Sequence, residues 1–323
     1  MPMNSDIISN PKSDRVRRLA SLTSSRGRRK SGCFLIEGPQ SVREAIAYRP
    51  DLVSDLYVRS AGPDDLRPAS KTLAAIMDQA LELGEGSNLY VHMVTDQVMD
   101  KISTDSQGIV AVGDAAGIMA FVDDVDLGSA AGQESHQPQA DLLEPSRNPA
   151  GGTEDTLAGP SVAAFWQVRD PGNAGTVIRA ADAAGCRAVV FVDDCVDPLN
   201  PKVIRSTAGS LFHLPLLTMT TEDFLSWSSA QGLVTTAADV YGTAGKRPLS
   251  LTDLLYSGPG DGQQVPRALL FGNEARGLPQ EVLDQVQDIV SIPIYGRAES
   301  LNLAASAAVM LFSLAMSSHI ERM

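Results

Sequence analysis

A 14-residue run near the C-terminus, Leu303–Met316 (L-A-A-S-A-A-V-M-L-F-S-L-A-M), is apolar almost all round, broken only by Ser306 and Ser313. A helix of that composition has no face for water, so it is buried in a core or against a second subunit. It is too short to span a bilayer, which takes about 20 residues. Ahead of it, Ser291–Tyr295 reads as a short strand, followed by a loop containing Gly296. Ser300 stands where the helix N-cap belongs, with Asn302 just inside the first turn. Two polar side chains and the free N–H groups of the first turn then sit at the mouth of a buried helix, beside a tight loop. That is a place to hold a small ligand.

Upstream of that helix, strands and helices alternate. Val162–Val168, Ala188–Asp193, Leu214–Leu217, Leu233–Ala238 and Arg267–Phe271 read as strands, and Asn173–Ala184, Asn200–Ser210, Thr221–Gln231 and Pro279–Val286 as helices. Ala188–Asp193 (A-V-V-F-V-D) is a continuous apolar run, as expected inside a parallel sheet. Gly185 is a natural residue to close the first of these helices. The start at Thr221 resembles a capping box with Phe224 where an acidic residue belongs. An α/β domain with a parallel sheet is expected over 161–323.

The first part of the chain repeats the alternation on a smaller scale. Strands are expected at Cys33–Glu37, Leu52–Arg59, Leu89–Val94 and Gly108–Gly113, with a further one at Gly117–Val122. Helices are expected at Gln40–Tyr48, Leu73–Leu83 and Thr95–Ser103. They make a compact α/β domain over 31–122. Residues 1–30 hold eight basic side chains (Lys12, Arg15, Arg17, Arg18, Arg26, Arg28, Arg29 and Lys30) against Asp6 and Asp14. They read as a basic arm with a short helix at Asp14–Leu22, either a solvated tail or an RNA contact. Residues 123–160 are rich in Asp, Glu, Gly, Ser, Gln and Pro with almost no aliphatic clusters, and read as an acidic, disordered linker.

The net charge of −13 argues against a protein that coats nucleic acid generally. Three cysteines without a C-x-x-C fit a reducing cytoplasm better than a disulfide framework. The four scattered histidines show no zinc-ligand spacing. No apolar core follows the early arginines, so no signal peptide is expected.

Three stretches join glycine to polar residues at expected strand–helix junctions: Asp170–Arg179 (D-P-G-N-A-G-T-V-I-R), Phe271–Leu278 (F-G-N-E-A-R-G-L) and Ile292–Asn302 (I-P-I-Y-G-R-A-E-S-L-N). Ligands of open parallel sheets bind at the carboxyl ends of strands. A dinucleotide fold is excluded because no G-x-G-x-x-G follows a strand. Gly242–Lys246 lacks P-loop spacing, and Arg247 stands where a hydroxyl is needed.

In this order and spacing, the three stretches resemble the SpoU (TrmH) branch of the SPOUT RNA methyltransferases. The matching patterns are N-x-G-x-x-x-R-x-A-x-x-x-G (Asn173 to Gly185), F-G-N-E-x-x-G-L (Phe271 to Leu278) and I-P-x-x-G-x-x-x-S-L-N-x-A-x-S-A (Ile292 to Ala307). Lys202–Pro215 resembles the family's middle segment. Phe34–Ile46 (F-L-I-E-G-P-Q-S-V-R-E-A-I) is similar to the start of an L30e-like substrate-binding domain.

The resemblance implies a C-terminal SPOUT α/β domain with a deep trefoil knot, behind a smaller L30e-like α/β domain. It implies S-adenosyl-L-methionine as cofactor, held at Gly272, Ile292 and Leu301, and methyl transfer to a ribose 2′-hydroxyl of RNA. Ribosomal RNA stands ahead of transfer RNA, and a non-catalytic RNA-binding factor on the same scaffold is the alternative from another class. Arg179, Asn173, Glu274, Ser300 and Asn302 carry over as catalytic positions. Arg179 acts more readily as a phosphate clamp and alkoxide stabiliser than as a base, because a guanidinium stays protonated. Glu274 is expected to anchor it or to shape the pocket. The resemblance also implies a homodimer through the knot helices, a cytoplasmic setting and no membrane. RNA contact would fall to a local basic face drawn from Arg15–Lys30, Arg43, Lys202, Arg205, Arg276 and Arg297.

Overall fold

The computed structural model describes residues 3, 6–83, 89–119, 160–256 and 266–320. The expected acidic linker therefore lies, except for its last residue, outside the described residues. The fold divides into two compact units.

The first unit begins with helices α1 (Asp14–Ser21) and α2 (Ser25–Ser31), capped by the hydroxyls of Ser13 and Ser24. Strand β1 (Cys33–Glu37) and helix α3 (Pro39–Tyr48) follow, then β2 (Val53–Gly62), β3 (Asp65–Pro68), α4 (Lys71–Leu83), β4 (Tyr90–Val94), α5 (Asp96–Ile102), β5 (Ile109–Asp114) and the short helix α6 (Ala115–Ile118). The strands form a mixed sheet of order β1-β5-β2-β3, with β4 pairing parallel to β2. Alternation along the strands puts Leu35, Tyr57, Val110 and Val112 against α1 and α5. Residues 14–31 are therefore folded onto the sheet and are not a loose arm. Of the strand expected at Gly117–Val122, Gly117 and Ile118 instead belong to α6, where Asp114 accepts the Ala116 N–H through its side chain; residues 120–122 lie outside the described residues.

The second unit opens with β6 (Pro160–Trp166), α7 (Pro171–Ala183) and β7 (Ala188–Val192). Gly185, at φ +77°, ends α7 as expected: its N–H and that of Cys186 bond the carbonyls of Asp182 and Ala181. The chain then runs through Asp197–His213, which carries α8 (Pro201–Thr207) and clusters with the first unit. It returns as β8 (Leu216–Met219), α9 (Thr221–Ala230), β9 (Val234–Ala238), β10 (Leu249–Ser250), α10 (Leu251–Tyr256), β11 (Arg267–Phe271), α11 (Gln280–Gln285), β12 (Asp288–Ser291) and α12 (Leu303–Ile320). Thr220, not Thr221, caps α9: its hydroxyl oxygen accepts the Asp223 N–H and its O–H reaches that residue's carboxylate.

The seven strands are all parallel, in the order β10-β12-β9-β11-β6-β7-β8. One face, including Ala164, Val190 and Leu270, packs under α9 and α11. The other carries Phe165 and Phe271, paired in register with rings stacked at 5.2 Å, beneath α7 and α12. Both faces are covered, which is why these strands read as apolar runs. Within α12, Leu303, Ala307, Met310 and Leu311 are buried, whereas Val309, Phe312 and Met316 are exposed. No helix of the described residues is long and apolar enough to cross a membrane.

Ion pairs in the first unit consume much of the expected basic face. Arg28 is 5% exposed; it donates to Asp197 and to the carbonyls of Leu22 and Thr23. Arg205 pairs with buried Glu37 and with Asp105, Arg43 with Glu44, and Arg17 with Asp14. Arg15 bonds Tyr57 and Asp55.

Burial alone would raise the Asp55 carboxyl. Hydrogen bonds from His92 and Ser54 and the charges of His92 and Arg15 outweigh it, so Asp55 titrates below its usual range. A lowered folded pKa contributes stability above the unfolded value near 3.8, and that stability is lost as pH falls through the folded value. Asp55→Asn should cost about 1–2 kcal/mol at neutral pH. In urea titrations from pH 7 to pH 3, the gap to wild type should stay level and then narrow at the acid end.

Candidate functional site

Strands β12, β9 and β11 are neighbours, so the loops after their carboxyl ends emerge side by side. A cavity of about 300 Å³ opens there, the lower end of the range for small-molecule sites. Ala238–Tyr241, Phe271–Gly277 and stretches of Val290–Leu301 line it, with Leu303, Ser306 and Met310 of α12. Gly272, Ile292 and Leu301 all lie on its wall, as do Glu274 and Ser300.

Each loop is fastened by its own side chains. After β11 the chain doubles back, with Asn273 and Gly277 exchanging backbone hydrogen bonds at 3.2 and 2.9 Å. This return passes so close to Gly272 that a Cβ there would stand 2.5 Å from the Gly277 carbonyl carbon and 2.7 Å from the Leu278 nitrogen. The Asn273 side chain accepts from the Ala275 N–H and donates to the Gln167 carbonyl, which follows β6. After β9, Asp239 Oδ1 accepts the N–H groups of Tyr241 and Gly242 at 2.8 and 2.7 Å. Lys246 donates to the carbonyls of Asp284 and Val286. That lysine, set aside as a P-loop residue, is a structural tie.

After β12 two expectations change. The strand ends at Ser291, so Ile292–Tyr295 is loop and supplies cavity wall. The N-cap of α12 is Asn302, whose Oδ1 accepts the Ala304 N–H at 2.9 Å and whose carbonyl takes the first helical bond, from Ser306. Ser300, two residues earlier, is exposed in the loop.

Three of the five expected catalytic residues are linked. Asn302 Nδ2 donates to Asn173 Oδ1 at 3.3 Å, and Asn173 Nδ2 donates to Glu274 Oε1 at 3.1 Å. Asn273 Nδ2 lies 3.4 Å from the other Glu274 oxygen. Asn173 is set in the first turn of α7 by Asp170, which accepts its N–H at 2.8 Å. Arg179 stands apart. Six residues on from Asn173, it lies about 120° away around α7. It is exposed, and its side chain makes no hydrogen bond or ion pair among the described residues. The expected Glu274–Arg179 bond is thus replaced by Glu274–Asn173. Of the three stretches joined from the sequence, Asp170–Arg179 lines no part of the cavity; it is mostly helix and reaches the site through Asn173.

The sequence reading missed Asp239 and Tyr241, and it matched Asn273 within F-G-N-E without giving it a role. Asp239 and Asn273 each follow a strand and accept an N–H two residues on, an Asx-turn signal that was available. Only the strand order brings Tyr241 to the cavity. None of the three thiols is an activated nucleophile: burial pushes Cys186 up to about 12 and Cys195 up to about 11, and burial with the nearby Asp114 and Asp55 charges raises Cys33 as well. Among the described residues, no group of three or more His, Cys, Asp or Glu side chains could hold a metal ion.

Residues 160–312 match the SpoU rRNA Methylase family, and residues 13–111 match the MRM3-like substrate binding domain. The chain is 29% identical to the 23S rRNA (guanosine(2553)-2′-O)-methyltransferase RlmP of Bacillus subtilis (strain 168), over 95% of this chain and 98% of that protein. It is 33% identical to the 23S rRNA (uridine(2479)-2′-O)-methyltransferase of Streptomyces viridochromogenes, over 46% of this chain and 50% of the relative. The fold is similar to the crystal structure of an AdoMet-bound rRNA methyltransferase from Sinorhizobium meliloti, with a TM-score of 0.70 and 24% identity over the whole of both chains.

Gly272→Ala tests how the cavity wall is built. The added methyl must displace the backbone at Gly277–Leu278, an overpacking cost of about 1–3 kcal/mol. The expected result is a lower denaturation midpoint and a loss of S-adenosylmethionine affinity in calorimetry.

Proposed function

We infer the function of this chain from the family it belongs to, the SpoU RNA methylases, with an MRM3-like substrate-binding domain ahead of the methylase domain. It is an S-adenosylmethionine-dependent methyltransferase acting on a ribose 2′-hydroxyl of RNA. The single observation that carries the reading is the cavity between three strand-end loops, bordered by the Asn302–Asn173–Glu274 chain. Ribosomal RNA is the substrate class, in keeping with what the relatives' names say of them.

The residues fit the cofactor. The wall joins apolar surface from Phe271, Ile292 and Leu301 to three carboxylates, Asp239, Glu274 and Glu299, against one arginine, Arg276, a net-acidic lining suited to a partly apolar cation. We assign Gly272, Ile292 and Leu301 to holding it. When bound, S-adenosylmethionine supplies an electrophilic methyl group on a sulfonium centre. The chain's task is then to align the ribose oxygen and to lower the cost of charge on it. Asn173, Asn302 and Ser300 are assigned to orienting the ribose, with Glu274 holding the Asn173 amide in register. Arg179 is unpaired and exposed, so its guanidinium is free to meet a phosphate or the developing 2′-oxygen charge. It stays protonated and acts as a fixed positive charge, not as a base.

The trefoil knot implied by the family resemblance belongs, in this reading, to the C-terminal end of the methylase domain. We also propose that the chain dimerises through α12. Val309, Phe312 and Met316 are exposed at spacings of three and four, a single apolar face. The three free cysteines suit a cytoplasmic enzyme.

The assay uses labelled S-adenosylmethionine and unmodified ribosomal or transfer RNA, with digestion to nucleosides. A 2′-O-methylnucleoside from ribosomal RNA is expected. Arg179→Ala should lower kcat about 10²- to 10³-fold while cofactor affinity holds; a base-methylated product, or none, would refute the reading. Phe312→Glu should shift sedimentation equilibrium from dimer to monomer.

A further inference from the structure

Two tyrosine rings are left in water beside the cavity. Tyr241 lines it and is 81% exposed; Tyr295, next to the cavity-lining Ile294, is 92% exposed. Among the described residues, neither ring makes an aromatic contact or a side-chain hydrogen bond. An aromatic side chain adds most to a fold when its large apolar area is covered, so these two contribute little to this one.

The loop that carries Tyr241 is nevertheless held firmly. Asp239 Oδ1 accepts two of its N–H groups, Thr243 and Lys246 bond each other's backbones, and the Lys246 ammonium is tied to two carbonyls at the end of α11. The backbone that carries the ring is therefore set in place before any ligand arrives, which leaves only the side chain to be ordered on binding. Arg276 lines the same cavity, and Arg297 shares the loop of Tyr295. Both are exposed, and neither has a carboxylate partner among the described residues.

Flat rings beside unpaired guanidinium groups match one chemistry, a nucleobase with its phosphates. Unstacked bases of single-stranded RNA are held on aromatic faces while cations follow the backbone. S-adenosylmethionine fits this rim poorly: it carries no phosphate, and its sulfonium charge is repelled by arginine. We propose that Tyr241, seconded by Tyr295, is the stacking platform for an unpaired base of the RNA substrate, and that Arg276 and Arg297 hold the adjoining phosphates. The proposal rests on the methyltransferase reading and adds to it the residues that position the target nucleotide.

The test uses the full chain and unmodified, transcribed 23S ribosomal RNA. RNA affinity is measured by filter binding with S-adenosylhomocysteine present, cofactor affinity by calorimetry, and KM and kcat by methyl transfer. Tyr241→Ala should weaken RNA binding and raise the KM for RNA about 5- to 100-fold, leaving cofactor affinity at the wild-type value. Tyr241→Phe, which keeps the ring, should restore RNA affinity. Arg276→Ala should flatten the plot of log affinity against log salt by about 0.7–0.9.

Unchanged RNA affinity in Tyr241→Ala would overturn the proposal. So would an equal loss of cofactor affinity, which would put the cofactor's adenine on the ring. A shift of Tyr241→Ala from dimer to monomer would overturn it too, by making the ring an interface residue. A wild type that binds RNA but transfers no methyl group would refute the activity, while the affinity comparison would still decide the role of the ring.

Discussion

Parallel pairing of β12, β9, β11 and β6 is the constraint from which the rest of the second unit follows. Each of these strands must be re-entered from the same end, so every strand delivers its outgoing loop to one edge of the sheet. Covering both faces with helices forces the strand residues to be apolar and pushes polar chemistry to that edge. The stacked Phe165 and Phe271 mark how tightly the register is set. One residue beyond Phe271, the absence of a side chain on Gly272 lets the return strand of its loop pass within contact distance.

The site is stabilised by short polar ties rather than by a buried ion pair. Asn302 caps α12 with its side-chain oxygen and bonds Asn173 with its amide nitrogen; Asn173 in turn holds Glu274. One residue thus fixes a helix start and a polar chain together, so the packing of α7 against α12 is coupled to the geometry beside the cavity. Arg179 lies outside this chain, which leaves its charge available.

In the first unit, charge is used mainly for folding. Arg28 is buried against Asp197 and two carbonyls, and half-buried Arg205 pairs with buried Glu37. Withdrawing one partner from such a pair would leave an uncompensated charge in a poor solvent for it, so both arginines serve as anchors. Among the described residues of the second unit, Arg179, Arg276 and Arg297 are exposed and have no carboxylate partner.

Local sequence determined the alternation of strands and helices, the turn at Gly185, the apolar character of Ala188–Val192 and α12, and the three motifs around Asn173, Glu274 and Asn302. Those features depend on backbone preference and on burial patterns a few residues long, which local spacing records. Tertiary structure alone decided that β9 lies between β11 and β12, which brings Asp239 and Tyr241 to the cavity in place of Asp170–Arg179. It also decided which arginines are consumed: Arg28 meets Asp197 and Arg205 meets Glu37 across separations of 169 and 168 residues. Strand order and ion pairing are set by contacts between distant segments, and no local period in the chain encodes them.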